Sequence, residues 1–394
     1  MTLEELAITV AVLAGLGLIA NRFGLSAIPA YLLAGILLGP HAPETLTLVH
    51  PSEVTEFVAE LGLVFLLFFL GLEFSLERLL RTGRHIGLGG SIDLVVNSAV
   101  GFVIGYLAFG TTFAAFLVAA AVYVSSSAVA VKGLIDFRRL ADDETDVVLG
   151  VLLFEDIAIA FVIAIAASGG TGPSETIALL AKAFVFIAAS LAASRFLARQ
   201  IDRFLDRLPR EFFLLGVFAL VVGLAAAADA IGLSEAIGAL MAGVILSETD
   251  ARAEIEERFL SFRDLFAALF FFAFGLTIDI ETFGSVGWLV TGAVLLTIVG
   301  KVGAGYAAGR VGGFSPRQSL NAGAALVAHG EFTIILAQIG AANLAIAASD
   351  RADLAAFAGL YVLVTATLGI VLMKESKWIG RRLFPPPRLE RESL

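Results

Sequence analysis

The sequence contains no cysteine, and only 16% of its 394 residues are charged. Without cysteine the chain can form neither a disulfide nor a thiolate metal site. A soluble domain of this length needs about a quarter of its residues charged. The scarcity of charge, with 59% hydrophobic residues and a mean hydropathy of +0.94, therefore excludes a soluble globular protein and indicates a helical membrane protein.

Two catalytic patterns are also absent. The sequence has no His-Glu-x-x-His run of a membrane zinc protease, and no pair of aspartates in the contexts that intramembrane aspartyl proteases use. We therefore expect a protein that is not an enzyme and that uses no cofactor. The net charge of −10 lies mostly in loops, which excludes nucleic acid as an expected partner.

The apolar residues occur in blocks of roughly 17 to 24, the length with which a helix crosses about 30 Å of hydrocarbon. We predict thirteen transmembrane spans, at residues 4–21, 26–40, 56–72, 86–109, 112–132, 147–167, 174–195, 211–229, 233–247, 259–280, 285–308, 318–341 and 352–373. The first block follows two glutamates and no basic residue, so we expect a retained helix and not a secretory signal.

Lysine and arginine are nearly absent from every second loop. They follow the odd-numbered spans, whereas the loops after even-numbered spans contain one basic residue, Arg351. By the positive-inside rule, the N-terminus lies outside the cell membrane and the C-terminus lies in the cytoplasm. The regular alternation also supports the count of thirteen.

Two stretches of the sequence resemble later ones. In span 2, Gly24–Ser26 and Ala34–Gly35 match Gly232–Ser234 and Ala242–Gly243 of span 9, and Phe68–Glu77 resembles Phe272–Glu281. Seven helices separate the copies, and this odd number turns the second copy upside down in the membrane. Many secondary transporters use such inverted repeats to build two interconvertible faces around one central site.

Few ionisable residues lie inside the predicted spans, where each costs roughly 2.5–3.5 kcal/mol at the bilayer centre. Glu155 and Asp156 lie in span 6, and Lys301 lies at a similar depth in span 11. Adjacent helical residues project about 100° apart, so one carboxylate can line a cavity while the other meets a neighbouring helix. We expect Lys301 to pair with one of them, because an ion pair offsets part of both desolvation costs.

Two spans contain candidate breaks. Span 5 contains Ser125, Ser126 and Ser127, and an offset of 204 residues places His329-Gly330-Glu331 at the equivalent point of span 12. Hydroxyl groups, freed carbonyls and an interior glycine are typical of discontinuous helices at a cation site near the membrane midplane. For the serine triplet, close packing of small residues between helices is the alternative.

Three further polar residues lie within spans. We interpret Asp93, one turn before Asn97, as part of an interhelical hydrogen bond rather than a polar patch in an ion funnel. Lys182 either snorkels to the membrane surface or lines a crevice. No role is predicted for His329.

Five runs of the chain, taken in order, carry a family resemblance. They are Phe69–Glu73, Ser125–Val131, Leu153–Ala158, Phe271–Leu276 and Gly330–Phe332. Together they resemble the membrane domain of the Kef-type cation/proton antiporters, relatives of bacterial sodium/proton antiporters, over spans 2 to 13. The resemblance implies exchange of protons for a monovalent cation, Na⁺ or K⁺, by alternating access. A sodium-coupled symporter of the related fold and a cation channel remain as alternatives.

The resemblance also implies how the transport domain, residues 1–373, is divided. Core helices move against scaffold helices that form a homodimer, a linker helix lies between the two halves, and a short cytoplasmic tail follows. The corresponding residues are 86–167 and 285–373 for the core, 4–72 and 211–280 for the scaffold, 174–195 for the linker and 374–394 for the tail. The fold class is thus an all-α polytopic membrane protein with two broken helices.

For the ion site, the resemblance implies that Asp156 binds the monovalent cation and, with Glu155, exchanges it for a proton. The supporting residues are Lys301, Ser125, Ser126, Ser127 and Glu331. Kef-type potassium transporters have glutamine where this chain has Glu155, and electrogenic sodium transporters have aspartate, so ion choice and stoichiometry stay open. The nucleotide-binding domain of Kef-type proteins is not in this sequence. A regulatory partner would then be a separate cytoplasmic subunit.

Overall fold

The computed structural model describes residues 3–23, 27–43, 47–73, 76–139, 141–167, 173–233, 235–343 and 346–385, and all regular structure within them is helical. The helices are α1 (Leu3–Arg22), α2 (Ala27–Leu38), α3 (Glu53–Glu73), α4 (Leu76–Phe109), α5 (Thr112–Tyr123), α6 (Ser127–Asp136), α7 (Thr145–Ala167), α8 (Pro173–Leu205), α9 (Arg210–Ala230), α10 (Glu235–Ser247), α11 (Arg252–Leu276), α12 (Phe283–Val311), α13 (Pro316–Ala325), α14 (Glu331–Ala342) and α15 (Ala348–Leu383), with a 3₁₀ turn at Ile280–Thr282. Gly24–Ser26 and Ser234 of the predicted repeat, and the tail from residue 386, lie outside the described residues.

Seven helical segments in the described part of the chain are long and apolar enough to cross a membrane. They are Leu3–Arg22, Gly87–Phe109, Phe184–Leu205, Glu211–Ala230, Arg252–Leu276, Ile280–Val311 and Ala348–Leu383. Shorter apolar helices accompany them at Ala27–Leu38, Thr112–Tyr123, Ile237–Ser247 and Glu331–Ala342. The all-helical membrane architecture follows from these lengths and compositions.

Several helices extend beyond the predicted spans. α4 begins ten residues before span 4, α8 continues ten residues beyond span 7, α11 begins seven residues before span 10, and α15 continues ten residues beyond span 13. These extensions are polar, so hydropathy does not mark them. In α11, salt bridges between residues four apart stabilise the extension, as between Arg252 and Glu256 at 2.8 Å.

The chain divides into two compact units. The first comprises Met1–Ala14, Tyr31–Arg81 and Ala158–Ile278. In this unit α3 packs against α10 and α11. A Cβ atom at Gly71 on α3 would lie 2.1 Å from the Leu240 carbonyl oxygen and 2.8 Å from the Cα of Gly243 on α10. Only glycine permits two helices to approach this closely.

The second unit comprises Gly15–Ala30, Thr82–Ile157 and Asp279–Leu394. α12 packs along α13 and α15, and α14 packs along α5 and α15. A buried apolar cluster joins α12, α13 and α15 to α6 and α7 through residues such as Leu134, Val151, Leu326 and Met373. This packing places the short helices α5, α6, α13 and α14 inside one compact unit.

Both predicted interruptions coincide with gaps between short helices. α5 ends at Tyr123 and α6 begins at Ser127, while α13 ends at Ala325 and α14 begins at Glu331. Val124 leaves the helical region with φ −85° and ψ 120°, and Gly330 does so with φ −160° and ψ −127°. Spans 5 and 12 are therefore each made of two half-helices.

Candidate functional site

The two helix breaks contact each other through the backbone. The N–H of Ser126 donates to the carbonyl oxygen of Ala328 at 2.8 Å, and the hydroxyl of Ser125 donates to the carbonyl oxygen of Leu326 at 2.8 Å. Beside the breaks, the Thr333 hydroxyl of α14 donates to the Ala121 carbonyl oxygen of α5 at 3.0 Å. The second break thus supplies acceptors to donors of the first, as irregular backbone inside a membrane protein requires.

Gly330 makes room for a polar contact at this crossing. A Cβ atom at residue 330 would lie 2.6 Å from the hydroxyl oxygen of Ser126 and 2.8 Å from its Cβ. The same hydroxyl donates to Oε2 of Glu331 at 3.0 Å. The absence of a side chain at Gly330 therefore lets Ser126 of one break reach Glu331 of the other.

Glu155 on α7 is fully buried, and both of its carboxylate oxygens have donors. Oε2 accepts the backbone N–H of Ser125. Oε1 accepts the Ser125 hydroxyl at 3.1 Å and the ammonium of Lys301 at 2.9 Å. Glu155 is therefore a fixed part of the packing around the first helix break.

Asp156, the next residue on α7, has a different environment. Its side chain is only partly buried. The hydroxyl of Ser127, the first residue of α6, lies 3.3 Å from Oδ1 and 3.2 Å from Oδ2. Because adjacent helical residues project about 100° apart, the two carboxylates cannot share one face of α7. Of the two carboxylates, Asp156 is therefore the less buried.

Lys301 on α12 is fully buried between two carboxylates. Its Nζ atom lies 2.9 Å from Oε1 of Glu155 and 2.8 Å from Oδ2 of Asp93 on α4. It also lies 5.2 Å from the ring centroid of Tyr123. The predicted ion pair with span 6 is present, with Glu155 as the partner, and Asp93 adds a second one.

Asp93 makes the predicted contact between helices, as an ion pair with Lys301 on α12. The Asn97 side chain donates to Oδ1 of Asp93 at 2.9 Å within α4. This places Asp93 in the same buried cluster as Glu155.

Lys182 lies in the first unit, on α8. Its side chain is exposed, and Nζ donates to the carbonyl oxygen of Ile231 at 3.0 Å. It lines a groove formed by α8 and the end of α9. Of the two positions predicted for Lys182, one that lines a crevice therefore fits the structure better than one that snorkels to the membrane surface.

Sequence reasoning missed three residues of the buried network in the second unit. Tyr123 faces Lys301, and the hydroxyls of Thr297 and Tyr361 lie 2.7 Å apart. Tyrosine and threonine in apolar spans are indistinguishable from packing residues by hydropathy alone. The sequence gives one weak indication for Tyr123, which is that it lies two residues before the serine triplet of the predicted break.

Comparison with known proteins gives a family match over most of the chain. The family described as "Sodium/hydrogen exchanger, transmembrane" matches residues 8–374. The K(+)/H(+) antiporter subunit KhtU of Bacillus subtilis (strain 168) is 40% identical over 373 residues, which are 93% of this chain and 91% of that protein. The ammonium/H(+) antiporter subunit AmhT of Alkalihalophilus pseudofirmus is 28% identical, with the same shares covered.

A solved structure shares the fold. The sodium proton antiporter MjNhaP1 from Methanocaldococcus jannaschii, at pH 8, superposes with a TM-score of 0.71 at 16% sequence identity. The match covers 93% of this chain and 98% of that one. Because the family match spans nearly the whole chain, this protein belongs to the transmembrane sodium/hydrogen exchanger family, as its resemblance to Kef-type antiporters predicts.

Proposed function

We propose that this protein exchanges protons for a monovalent cation across the cell membrane by alternating access, and that both ions occupy the carboxylate of Asp156 in turn. The observation that carries the proposal is the contrast between neighbours on α7. Glu155 is fully buried beside Lys301 and Ser125, whereas Asp156 is partly exposed beside a hydroxyl of the broken helix. The exposed carboxylate is the one available to exchange ions.

Coupling follows from the cost of charge in the membrane. An empty, ionised Asp156 is expensive to carry through a dry barrier, whereas a protonated or cation-loaded carboxylate is neutral. The transporter therefore changes its open side only when one of the two ions is bound. The Ser127 hydroxyl, 3.2 Å from the carboxylate, supplies a further oxygen ligand to the cation.

The buried charges support this site rather than take part in exchange. Lys301 holds Glu155 and Asp93 together, and Glu155 in turn holds Ser125. These contacts join α4, α7 and α12 to the first break. They fix the backbone on which Ser127 and Asp156 face each other.

Close helix contacts within the second unit support an arrangement in two repeats. A Cβ atom at Gly101 would lie 2.7 Å from the Cα of Ala119, and one at Gly305 would lie 2.4 Å from the Cα of Gly323. The offset of 204 residues that relates the two breaks also relates these two contacts. We take this as support for thirteen spans in two inverted repeats, with the N-terminus outside and the C-terminus in the cytoplasm.

We assign the transport movement to residues 86–167 and 285–373, which contain all the ion-site residues. Residues 4–72 and 211–280 form the scaffold of a homodimer, and residues 174–195 form the linker. The support is that the contacts of Asp156, Glu155 and Lys301 all lie within the second compact unit, which contains residues 86–157 and 285–373. An ion site contained in one unit can move with it.

The relatives guide the choice of cation and partner. Their names give K⁺ for one and ammonium for another, while the solved structure is that of a sodium proton antiporter. Carboxylate and hydroxyl oxygens suit each of these cations, so we propose a monovalent cation as cargo without choosing among them. Both relatives are named as subunits, which supports a separate cytoplasmic partner for this chain.

The test is exchange in proteoliposomes with an internal pH dye and the membrane potential clamped. Lithium, sodium and potassium are added in turn, and proton movement opposite to the cation identifies antiport. Asp156→Asn should abolish this flux while the melting temperature stays close to wild type, because the amide keeps the shape and removes the charge. Glu155→Gln is the matched control and should retain exchange. Coupled exchange that survives in Asp156→Asn, or is lost only in Glu155→Gln, would move the site to Glu155.

A further inference from the structure

His329 lies in the second helix break and joins it to the first. Its side chain is fully buried. Nδ1 lies 2.9 Å from the carbonyl oxygen of Val327, and Nε2 lies 2.9 Å from the carbonyl oxygen of Val122. The hydroxyl of Tyr361, 2.7 Å from that of Thr297, lies 3.3 Å from Nε2.

We propose that His329 is held as a doubly protonated imidazolium, a positioning residue whose two N–H groups tie the broken ends of both helices together. A carbonyl oxygen only accepts hydrogen bonds, so a ring nitrogen 2.9 Å from one must donate. Neutral histidine carries one N–H. Either neutral tautomer therefore leaves a nitrogen lone pair directed at a carbonyl oxygen, whereas the imidazolium satisfies both.

The position suits a positive charge. Val122 lies in the last turn of α5, and Val327 follows the end of α13, so the ring bridges the C-terminal ends of two half-helices. Helix C-termini carry partial negative charge, which stabilises a cation. The Val122 carbonyl also needs a new partner, because Ser126, which would donate to it in a continuous helix, donates to Ala328.

Two effects oppose the imidazolium. Burial disfavours any charge, and the ammonium of Lys301 repels a second positive group. The two carbonyl acceptors and the two helix ends act against them. The proposal does not depend on Asp156, so it stands or falls separately from the proposed ion site.

Nitrogen NMR of the full chain, labelled with ¹⁵N only at histidine, reads the protonation state directly. The sequence has three other histidines, at 41, 50 and 85. Replacing them with glutamine leaves His329 as the sole signal and requires no change at the site. At pH 8.5, about two units above the value for free histidine, we expect two protonated ring nitrogens. One protonated and one bare nitrogen would overturn the proposal.

Exchange activity provides a second test of the charge on His329. His329→Gln removes the charge and keeps one donor, whereas His329→Lys keeps the charge and several donors. We expect cation-driven proton flux to fall at least tenfold in His329→Gln and to recover in part in His329→Lys. A residue that serves only as packing would not distinguish the two variants by charge. Equal flux in His329→Gln and His329→Lys would therefore contradict the imidazolium.

Discussion

The ammonium nitrogen of Lys301 lies 2.8 Å from a carboxylate oxygen of Asp93, a residue 208 positions away along the chain. The same nitrogen lies 2.9 Å from Glu155. One buried lysine thus connects α12 to both α4 and α7. The pairing of the buried charges beside the proposed ion site therefore depends on three helices.

Replacing Lys301 with methionine should destabilise the protein strongly. The substitution keeps the length of the side chain and leaves two carboxylates buried without their cation. Removing one partner of a buried ion pair costs about 3–5 kcal/mol. We expect a clear fall in the melting temperature in detergent and a shift in the pH profile of exchange. An unchanged melting temperature together with an unchanged pH profile would show that the pair contributes nothing.

Asp93→Asn should be milder than Lys301→Met. It leaves Lys301 paired with Glu155, and the amide oxygen can still accept from the ammonium. We expect a smaller fall in melting temperature and exchange that remains coupled, since Asp93 does not touch Asp156 in the proposed mechanism. Glu155→Gln is the matched comparison, because it leaves the Asp93 pair intact. Loss of coupling in Asp93→Asn alone would place Asp93 in the exchange site.

Gly330→Ala should damage the crossing of the half-helices. The added methyl group would lie 2.6 Å from the Ser126 hydroxyl, so Ser126 must move away from Glu331. Overpacking of this kind costs about 1–3 kcal/mol. We expect lower exchange activity and a lower melting temperature.

Gly303→Ala is the control for that variant. Gly303 lies within α12, and a Cβ atom built there meets nothing within 4 Å. Alanine in the interior of a helix is better than glycine by roughly 0.5–1 kcal/mol. Gly303→Ala should therefore match or exceed wild-type stability and keep its activity. Equal effects of the two glycine substitutions would show that the close approach at Gly330 is unimportant.

The sequence predicted the helix breaks and one of the ion pairs for definable reasons. Ser125–Ser127 and His329–Glu331 are related by the offset of 204 residues that also relates Phe68–Glu77 to Phe272–Glu281, so polarity and repetition indicate the same two places. Lys301 and Glu155 lie at similar depth, and a charge in the membrane interior requires a partner. The depth of the charged residues in the membrane and the free-energy cost of burying a charge there were sufficient for those inferences.

The remaining contacts depend on how the helices are rotated, which hydropathy does not give. The sequence predicts an interhelical hydrogen bond for Asp93 and Asn97, but polarity alone does not identify Lys301 as the partner. The offset of 204 residues maps Asn97 onto Lys301, so the two residues are equivalent in the predicted repeat, but equivalence alone does not specify a contact between α4 and α12. The contact between Gly330 and Ser126 depends on backbone geometry at the break, which a residue pattern does not specify.

Competition at Asp156 gives the last prediction, which concerns pH. A carboxylate that holds a proton cannot hold a cation, so lowering the pH removes binding sites for the cation. At pH values low enough that the cation-free Asp156 is mostly protonated, the cation KM should rise about tenfold for each unit of pH lost, because proton concentration rises tenfold. At saturating cation the effect on binding disappears, since the cation displaces the proton. The measurement is initial proton flux against cation concentration in proteoliposomes at several pH values, with the membrane potential clamped. Glu155→Gln should keep the same slope of KM against pH, because its carboxylate is enclosed by Lys301 and Ser125. A KM that stays constant while the maximal rate changes with pH would mean that proton and cation bind at different groups, and Asp156 would then hold only one of them.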